Sequence, residues 1–274
     1  AFLAVLFYSR MYIPTISPDL WVNIAIPIVL LIFYRISTNR EVIGFIQNLV
    51  PILVFLIWVK WSSVPLLLAF VVLLLLKRKE INWNLLFHSK KWIWMSLLII
   101  SLMFVVNIVI SGYPLYPITF IHFDLPWQVP IERVHGLTRH IYLWGISSNY
   151  ESLTDLSFTS WIPKWWDRNS KPYLYHKELV LLLLLPLQLG YLYYKHRVTK
   201  YGLILIVFSI IQLSVWFIGS PNPRFLTGFI WTISGITFGQ LLVDSMSLTK
   251  KFKFNFQLAV FFILVIYVFA HMSM

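Results

Sequence analysis

Apolar runs, each about as long as a membrane-spanning helix, recur along most of this chain. A helix needs roughly 20 predominantly apolar residues to cross a bilayer. We predict spans at residues 19–36, 43–59, 63–76, 92–110, 177–194, 201–219, 225–243 and 255–271, after an apolar remnant at residues 1–8. The predicted fold class is therefore an all-α, polytopic transmembrane helix bundle of about eight spans.

Composition supports a membrane protein. Only 12% of the 274 residues are charged, about half the share typical of a soluble domain, and the mean hydropathy is +0.78. The net charge of +12 does not indicate nucleic-acid binding, because Lys and Arg collect in the cytoplasmic loops of polytopic proteins. The absence of cysteine excludes disulfides and thiolate metal sites.

The first residues do not resemble a signal peptide. The chain begins Ala-Phe-Leu-Ala, without Met, without a charged leading region and without a small-residue cleavage site. We expect it to be a fragment whose preceding spans are missing. If so, part of an active site is missing too.

Residues 111–176 form the one long segment that cannot lie in a bilayer, with five acidic and five basic side chains. A long loop among short ones is usually functional. The segment divides the chain into N-terminal spans (1–110), a loop (111–176) and C-terminal spans (177–274).

Basic residues are distributed unequally between the two sides of the predicted bundle. Thirteen fall on one side: Arg35, Arg40, Lys77, Arg78, Lys79, Lys90, Lys91, Lys195, Arg197, Lys200, Lys250, Lys251 and Lys253. The short loops on the other side hold only Arg10, Lys60 and Arg224. Positive charge favours the cytoplasmic side, which places residues 111–176 outside.

Two short helices are predicted inside the loop. Pro130 suits the first turn of an amphipathic helix, with Ile131, Val134 and Ile141 on one face and Glu132, His135 and Arg139 on another. Either the helix docks on the bundle with a solvated polar face, or its polar side chains line a cavity at the membrane surface.

The second loop helix covers residues 161–168, with Trp161 and Trp165 one turn apart on one face. These rings, like Trp127 ahead of the first helix, suit two roles. They anchor a protein among lipid headgroups, or they pack on the apolar faces of sugars.

Arg224 lies in a short, proline-rich outside loop, which should hold it rigidly. Its planar guanidinium suits phosphate. Either it reaches lipid headgroups, or it binds a polyprenyl phosphate or diphosphate.

His122, Asp124, His135 and His140 match no zinc spacing, and no phosphate-binding glycine loop, nucleotide fingerprint or serine nucleophile motif is present. No metal site and no cofactor is therefore predicted. A divalent metal is compatible with the sequence but not indicated by it.

Several of these motifs together resemble a family. They are Ser111-Gly-Tyr-Pro-Leu-Tyr-Pro117, Trp127-x-Val-Pro130, Trp144, the cluster Trp161-x-Pro-x-Trp165 and Pro221-x-Pro-Arg-Phe225. The pattern over residues 92–240 is similar to that of bacterial polytopic membrane proteins related to the GT-C-type glycosyltransferases. After Trp144, where a small and then a basic residue are expected, the chain has Gly145 and Ile146, and Ile146 is not basic.

The resemblance implies sugar transfer from a polyprenyl-phosphate donor to an envelope glycan or lipid, outside the bacterial inner membrane. A carboxylate would deprotonate the acceptor, with Glu132 and Asp124 as the loop candidates, although GT-C enzymes usually carry this acid in an earlier loop. Arg224 would stabilise the leaving phosphate. The implied substrate-binding set is Arg224, Arg139, His135, Trp127, Trp161 and Trp165.

Other functions stay open. An O-antigen polymerase or ligase also combines many spans with a large outside loop and arginines. A transporter or flippase would need charge at mid-membrane, where the spans hold almost none apart from Asp244 near one end. A non-catalytic membrane scaffold would use the loop for docking.

Overall fold

The computed structural model describes residues 18–38, 42–147, 158–170 and 176–248. Within these ranges all regular secondary structure is helical and no strand is present, which confirms the all-α prediction. The predicted remnant at residues 1–8 and the predicted span at residues 255–271 lie outside the described residues. The count of about eight spans and the three-part division stay predictions.

The helix bounds follow the predicted spans closely, because long apolar runs mark both ends of a spanning helix. In chain order the described helices are α1 (Pro18–Thr38), α2 (Ile43–Val59), α3 (Val64–Lys77), α4 (Trp83–His88), α5 (Lys91–Ser111), α6 (Ile131–Ile146), α7 (Phe158–Asn169), α8 (His176–His196), α9 (Tyr201–Gly219) and α10 (Thr227–Leu248), with 3-10 turns at Trp61–Ser63 and Pro223–Leu226.

Five segments of the described chain are long and apolar enough to cross a membrane. They are Trp21–Thr38, Lys91–Ser111, Lys177–His196, Tyr201–Gly219 and Pro223–Ser245. Ile43–Val59 and Trp61–Lys77 are apolar but shorter. This set of helices is compatible with a multi-pass membrane protein.

Helix α1 lies at the centre of the bundle, in contact with α2, α3, α9 and α10. Its side chains Val29, Leu30, Phe33 and Ile36 have no exposed surface, and their three- to four-residue spacing turns them to the packed side of the helix. Helices α5 and α8 lie at the edge, with only 11% and 17% of their spans buried. Their outward apolar faces suit contact with lipid.

Helix ends from distant parts of the sequence meet where the 111–176 segment joins the bundle, and we name this the loop end. Trp61 Nε1 donates a hydrogen bond to Tyr116 O at 3.1 Å. Trp231 Nε1 donates to Glu178 Oε1 at 3.1 Å. The other end of the bundle, which carries Lys195, is named the opposite end.

The two helices predicted inside the loop are both present, as α6 and α7, and they pack on each other. Leu143, Ile146 and Trp161 form a small apolar core between them. On the predicted apolar face of α6, Val134 is buried whereas Ile131 and Ile141 are exposed.

Candidate functional site

Three ionic side chains from separate elements meet at the loop end. Arg224 Nη2 lies 2.8 Å from Asp19 Oδ2, and Lys60 Nζ donates a hydrogen bond to Asp19 Oδ1. Asp19 belongs to the first turn of α1, Lys60 links α2 to the first 3-10 turn, and Arg224 belongs to the second. One carboxylate therefore binds two cations, and we name the three residues the Asp19 cluster.

Burial differs between the members of the cluster. The Asp19 side chain is only 5% exposed, whereas Lys60 and Arg224 are 22% and 30% exposed. A buried carboxylate is costly unless it is paired, and here each oxygen faces a cation. Both cations keep accessible surface, so the exposed part of the cluster is positive.

Local backbone structure explains how Lys60 and Arg224 are held. Lys60 is extended, with φ −160° and ψ 123°, and its N–H donates to Leu56 O at the end of α2. The Asn222 Oδ1 atom accepts from Arg224 N at 3.0 Å. Pro221 and Pro223 stiffen the chain around Asn222, because proline fixes φ.

Aromatic rings lie against the cations of the cluster. The Lys60 Nζ atom is 4.0 Å from the centroid of the Phe225 ring. Arg224 Cζ lies 5.2 Å from the same centroid and 5.7 Å from that of Trp144. Cations are attracted to ring faces at such distances, so the rings stabilise the cations without neutralising them.

Trp144 also binds a second arginine. The Arg168 Cζ atom lies 5.0 Å from the Trp144 ring centroid, and Arg168 Nη1 donates a hydrogen bond to Trp144 O. The ring of Trp144 therefore connects α7, which carries Arg168, with the cluster.

The pair of loop helices is fastened directly to the segment that carries Arg224. Ser220 Oγ donates to Ile141 O at 3.1 Å, and Trp165 Nε1 donates to Pro221 O. Gly145 approaches so closely that a Cβ atom there would clash with Ser220 Oγ and lie 3.3 Å from Pro221. The absence of a side chain at Gly145 therefore permits this docking.

Burial also changes the protonation of Lys60. Loss of hydration lowers the pKa of its ammonium group from 10.5, and the nearby charge of Arg224 lowers it further. The ion pair with Asp19 opposes this lowering without cancelling it. Lys60 therefore loses its charge at a lower pH than an exposed lysine does.

Of the residues predicted from the sequence, Arg224 lies in the cluster, and Trp161 and Trp165 lie beneath the loop helices. The Trp161 ring is 4% exposed and packs on Phe217, with centroids 5.5 Å apart. The Trp165 ring is partly exposed and lies 6.0 Å from that of Trp216. Both indoles pack within the protein.

The other predicted residues lie on exposed surface. Glu132, Arg139 and Trp127 are exposed. His135 Nε2 lies 3.2 Å from Thr119 Oγ1. At 1.5 Å per residue, Glu132 lies about 18 Å along α6 from Trp144, so it is well separated from the cluster.

Asp124 lies on the rim of a shallow cleft of about 280 Å³. Its Oδ1 atom is 3.6 Å from His122 Nε2, and its side chain is 96% exposed. Tyr113, the floor of this cleft, is fixed by a hydrogen bond from its hydroxyl to Val129 O at 2.9 Å. Within the described ranges, no group of three His, Asp or Glu side chains is placed to hold a metal ion.

Sequence reasoning counted Lys60 only as a topology signal and passed over Asp19. A signal was present, because Lys60 and Arg224 both lie on the side of the bundle that basic residues otherwise avoid. Asp19, an acidic residue at the same end of the first described span, was the natural candidate to pair with these two cations.

Comparison with known proteins gives a family without a described activity. No curated protein and no solved structure matches the chain. A family model described as a domain of unknown function, DUF8201, matches residues 1–231. Because this match covers most of the chain, the protein belongs to the DUF8201 family.

Proposed function

We propose that the protein is an integral membrane, glycosyltransferase-like protein of the bacterial inner membrane. It transfers a sugar from a polyprenyl-phosphate donor to an envelope glycan or lipid on the outer side. The observation that carries this proposal is the Asp19 cluster, in which one buried carboxylate holds two partly exposed cations.

The chemistry of such a transfer needs positive charge where the donor phosphate leaves. Negative charge develops on that phosphate in the transition state, and preorganised cations stabilise it. Arg224 and Lys60 are preorganised by Asp19, by Asn222 and by the Phe225 ring. A phosphate that binds the cluster accepts hydrogen bonds from both cations.

The location of the cluster suits a lipid-linked donor. It lies at the ends of apolar helices, where a phosphate can meet the cations while its polyprenyl chain follows the lipid-facing surface. The loop end is the outer side in this proposal. The basic residues Lys77, Arg78, Lys195 and Arg197, all near the opposite end, support that orientation.

The acceptor is deprotonated by Glu132 or Asp124 in this proposal, and both are exposed. Glu132 lies about 18 Å from Trp144 along α6, and a base must lie within hydrogen-bond reach of the hydroxyl that it deprotonates, so Glu132 takes this role only if α6 brings it to the bound donor. His135, Arg139 and Trp127 then line the acceptor path, and Trp165 contributes its exposed ring surface.

The proposal is tested by native mass spectrometry of the protein purified in mild detergent. The wild type should retain a polyprenyl phosphate or its sugar adduct, and Arg224→Ala should lose it. Arg133→Ala is the matched control, because Arg133 is an exposed arginine near the start of α6. Equal amounts of ordinary phospholipid in all three proteins, with no polyprenyl lipid, would count against the proposal.

A further inference from the structure

The short helix α4 lies at the opposite end of the bundle, in the connection from α3 to α5, and it carries apolar side chains on its surface. Trp83, Leu85 and Phe87 are 40%, 54% and 49% exposed. Leu86 between them is buried in the core of the bundle, so it attaches α4 there. We name residues 78–91, which include α4 and the residues that flank it, the α4 surface.

Hydrogen bonds and ring contacts hold α4 in place. Leu86 O accepts from Gln47 Nε2 at 2.9 Å and from Trp92 Nε1 at 3.2 Å, which ties the helix to α2 and to the start of α5. The centroid of the Phe87 ring lies 6.4 Å from that of Trp83 and 5.9 Å from that of Trp92. The three rings therefore form a continuous row on a backbone that the bundle holds.

Basic side chains flank this row of rings in the sequence. Four of them are exposed: Arg78, Lys79, Lys90 and Lys91. Glu80, the one acidic residue of segment 78–91, pairs with Lys77, with the Lys77 Nζ and Glu80 Oε2 atoms 2.6 Å apart. Among the residues that the structure describes, none of the four has an ion-pair partner. The α4 surface therefore combines exposed rings with positive charge that no carboxylate neutralises.

The length of α3 sets the depth at which α4 lies. Trp61, in the 3-10 turn before α3, is bonded to Tyr116 at the loop end. This turn has three residues and α3 has 14, and together they are about 27 Å long. The hydrocarbon core of a bilayer is roughly 30 Å thick. In a bilayer whose one boundary is at Trp61, the chain therefore leaves α3 near the other boundary, where aromatic rings meet lipid headgroups.

We propose that the α4 surface binds the headgroups of anionic phospholipids in the leaflet at the opposite end. Trp83, Leu85 and Phe87 enter the boundary between headgroups and acyl chains, and the four basic side chains bind the lipid phosphates. Membrane-surface helices bind anionic lipid by this combination of apolar side chains with Lys and Arg. The site is separate from the Asp19 cluster at the loop end, and it is independent of the proposed sugar transfer.

The first test measures lipid preference. The purified full chain in mild detergent is incubated with equimolar phosphatidylglycerol, which is anionic, and phosphatidylcholine, which is zwitterionic, and native mass spectrometry measures the bound lipid. The wild type should prefer phosphatidylglycerol. The double variant Lys90→Gln with Lys91→Gln should reduce this preference about tenfold, because two of the four basic side chains lose their charge.

Two controls separate the α4 surface from other positive charge. Arg197→Gln with Lys200→Gln removes two exposed basic residues from another loop at the same end, and Arg224→Ala removes a cation from the loop end. Both controls should keep the preference for phosphatidylglycerol.

The second test measures the depth of α4 in the membrane. The chain has no cysteine, so a single introduced cysteine can carry a spin label. Leu85→Cys places the label on α4, and Val198→Cys places it beyond the end of α8 at a side chain that is 88% exposed. In vesicles of phosphatidylglycerol, the label at position 85 should be shielded from a water-soluble nickel complex, and the label at position 198 should be accessible to it.

Three results would overturn the inference. One is an equal preference for phosphatidylglycerol in the wild type and in the Lys90 and Lys91 variant. Another is an equal loss in the Arg197 and Lys200 variant, which would assign the preference to the general charge of this end. The third is a label at position 85 that the nickel complex reaches as readily as the label at position 198, which would leave the surface to a soluble acidic partner.

Discussion

Two carboxylates bind lysines at the two ends of the bundle, and their surroundings differ. Asp244 Oδ2, at the opposite end, accepts from Tyr191 at 2.5 Å and lies 2.6 Å from Lys195 Nζ. Its Oδ1 accepts from Gln240 at 3.1 Å. Asp19 instead binds two cations. Its side chain is 5% exposed, against 29% for Asp244.

The difference is between a carboxylate that pairs with one lysine and a carboxylate that two cations share. Asp244 links α8 to α10 through charge-balanced contacts and keeps access to water. A buried carboxylate shared by two partly exposed cations, rather than a single ion pair, distinguishes the loop end.

The sharpest test of this comparison is to neutralise each carboxylate. Asp19→Asn leaves two neighbouring, partly exposed cations without the buried carboxylate that they share, and breaking such a pair costs about 3 kcal/mol of unfolding free energy. Asp244→Asn should cost clearly less, because Asp244 is itself 29% exposed and only one lysine loses its partner. Thermal unfolding in detergent measures both. Equal losses of stability would contradict the distinction between the two ends.

A second test asks whether the loop helices belong to the loop-end site. Gly145→Ala forces a methyl group against Ser220 and Pro221 and should destabilise the protein by about 2 kcal/mol. Gly136→Ala on the same helix meets nothing within 4 Å and should be neutral or stabilising by up to about 1 kcal/mol. If the unfolding temperatures of the two variants coincide, α6 does not depend on this docking.

A third test uses the protonation of Lys60, which faces Asp19 from α1 and Arg224 from the second 3-10 turn. Because burial lowers the pKa of Lys60 below 10.5, its ammonium group loses its proton at a lower pH than that of an exposed lysine. Affinity for a lipid phosphate should be present at neutral pH and fall on the order of tenfold as pH rises through that lowered pKa, since one of the two cations is lost.

Lipid titrations at increasing pH measure this fall. Lys60→Arg should remove it, because a guanidinium keeps its proton, whereas Lys195→Arg at the opposite end should leave it as in the wild type. An alkaline loss of affinity that persists in Lys60→Arg would assign the effect to another group.

The smallest expected change in stability comes from removing one indole hydrogen bond at the loop end and one at the opposite end. Trp165→Phe removes the donor to Pro221 O and should cost about 1 kcal/mol of unfolding free energy. Trp83→Phe removes an exposed donor to Arg78 O, 3.1 Å away, and should cost almost nothing. Chemical unfolding of both variants measures the difference, and a larger loss for Trp83→Phe would count against tight docking at the loop end.

The helices could be predicted from the sequence because their signals are local. An apolar run such as residues 92–110 sets the bounds of α5 nearly by length alone. Pro130 was predicted in the first turn of α6, and it is instead the residue directly before the helix, which begins at Ile131. The packing of Trp161 and Trp165 on α9 could not be read from their one-turn spacing, because that spacing is equally typical of a lipid-facing anchor.

The site could be predicted only in part, since its members are far apart in the chain. Arg224 was identified by its charge and its proline-rich loop. Nothing in a pattern of neighbouring residues joins it to Asp19, and a lone acid at the start of an apolar helix is ordinary. The carboxylates of the loop, Glu132 and Asp124, were easier to notice because they lie among polar residues, and their roles stay predictions.

The wide spacing of the cluster members has a consequence for biosynthesis. A chain grows from its N-terminus, so Asp19 and Lys60, 41 residues apart, enter the membrane early and can pair with each other as a neutral couple. Arg224 arrives only after α9 has been synthesised. The second cation therefore joins the pair last, once most of the described bundle is available to hold it.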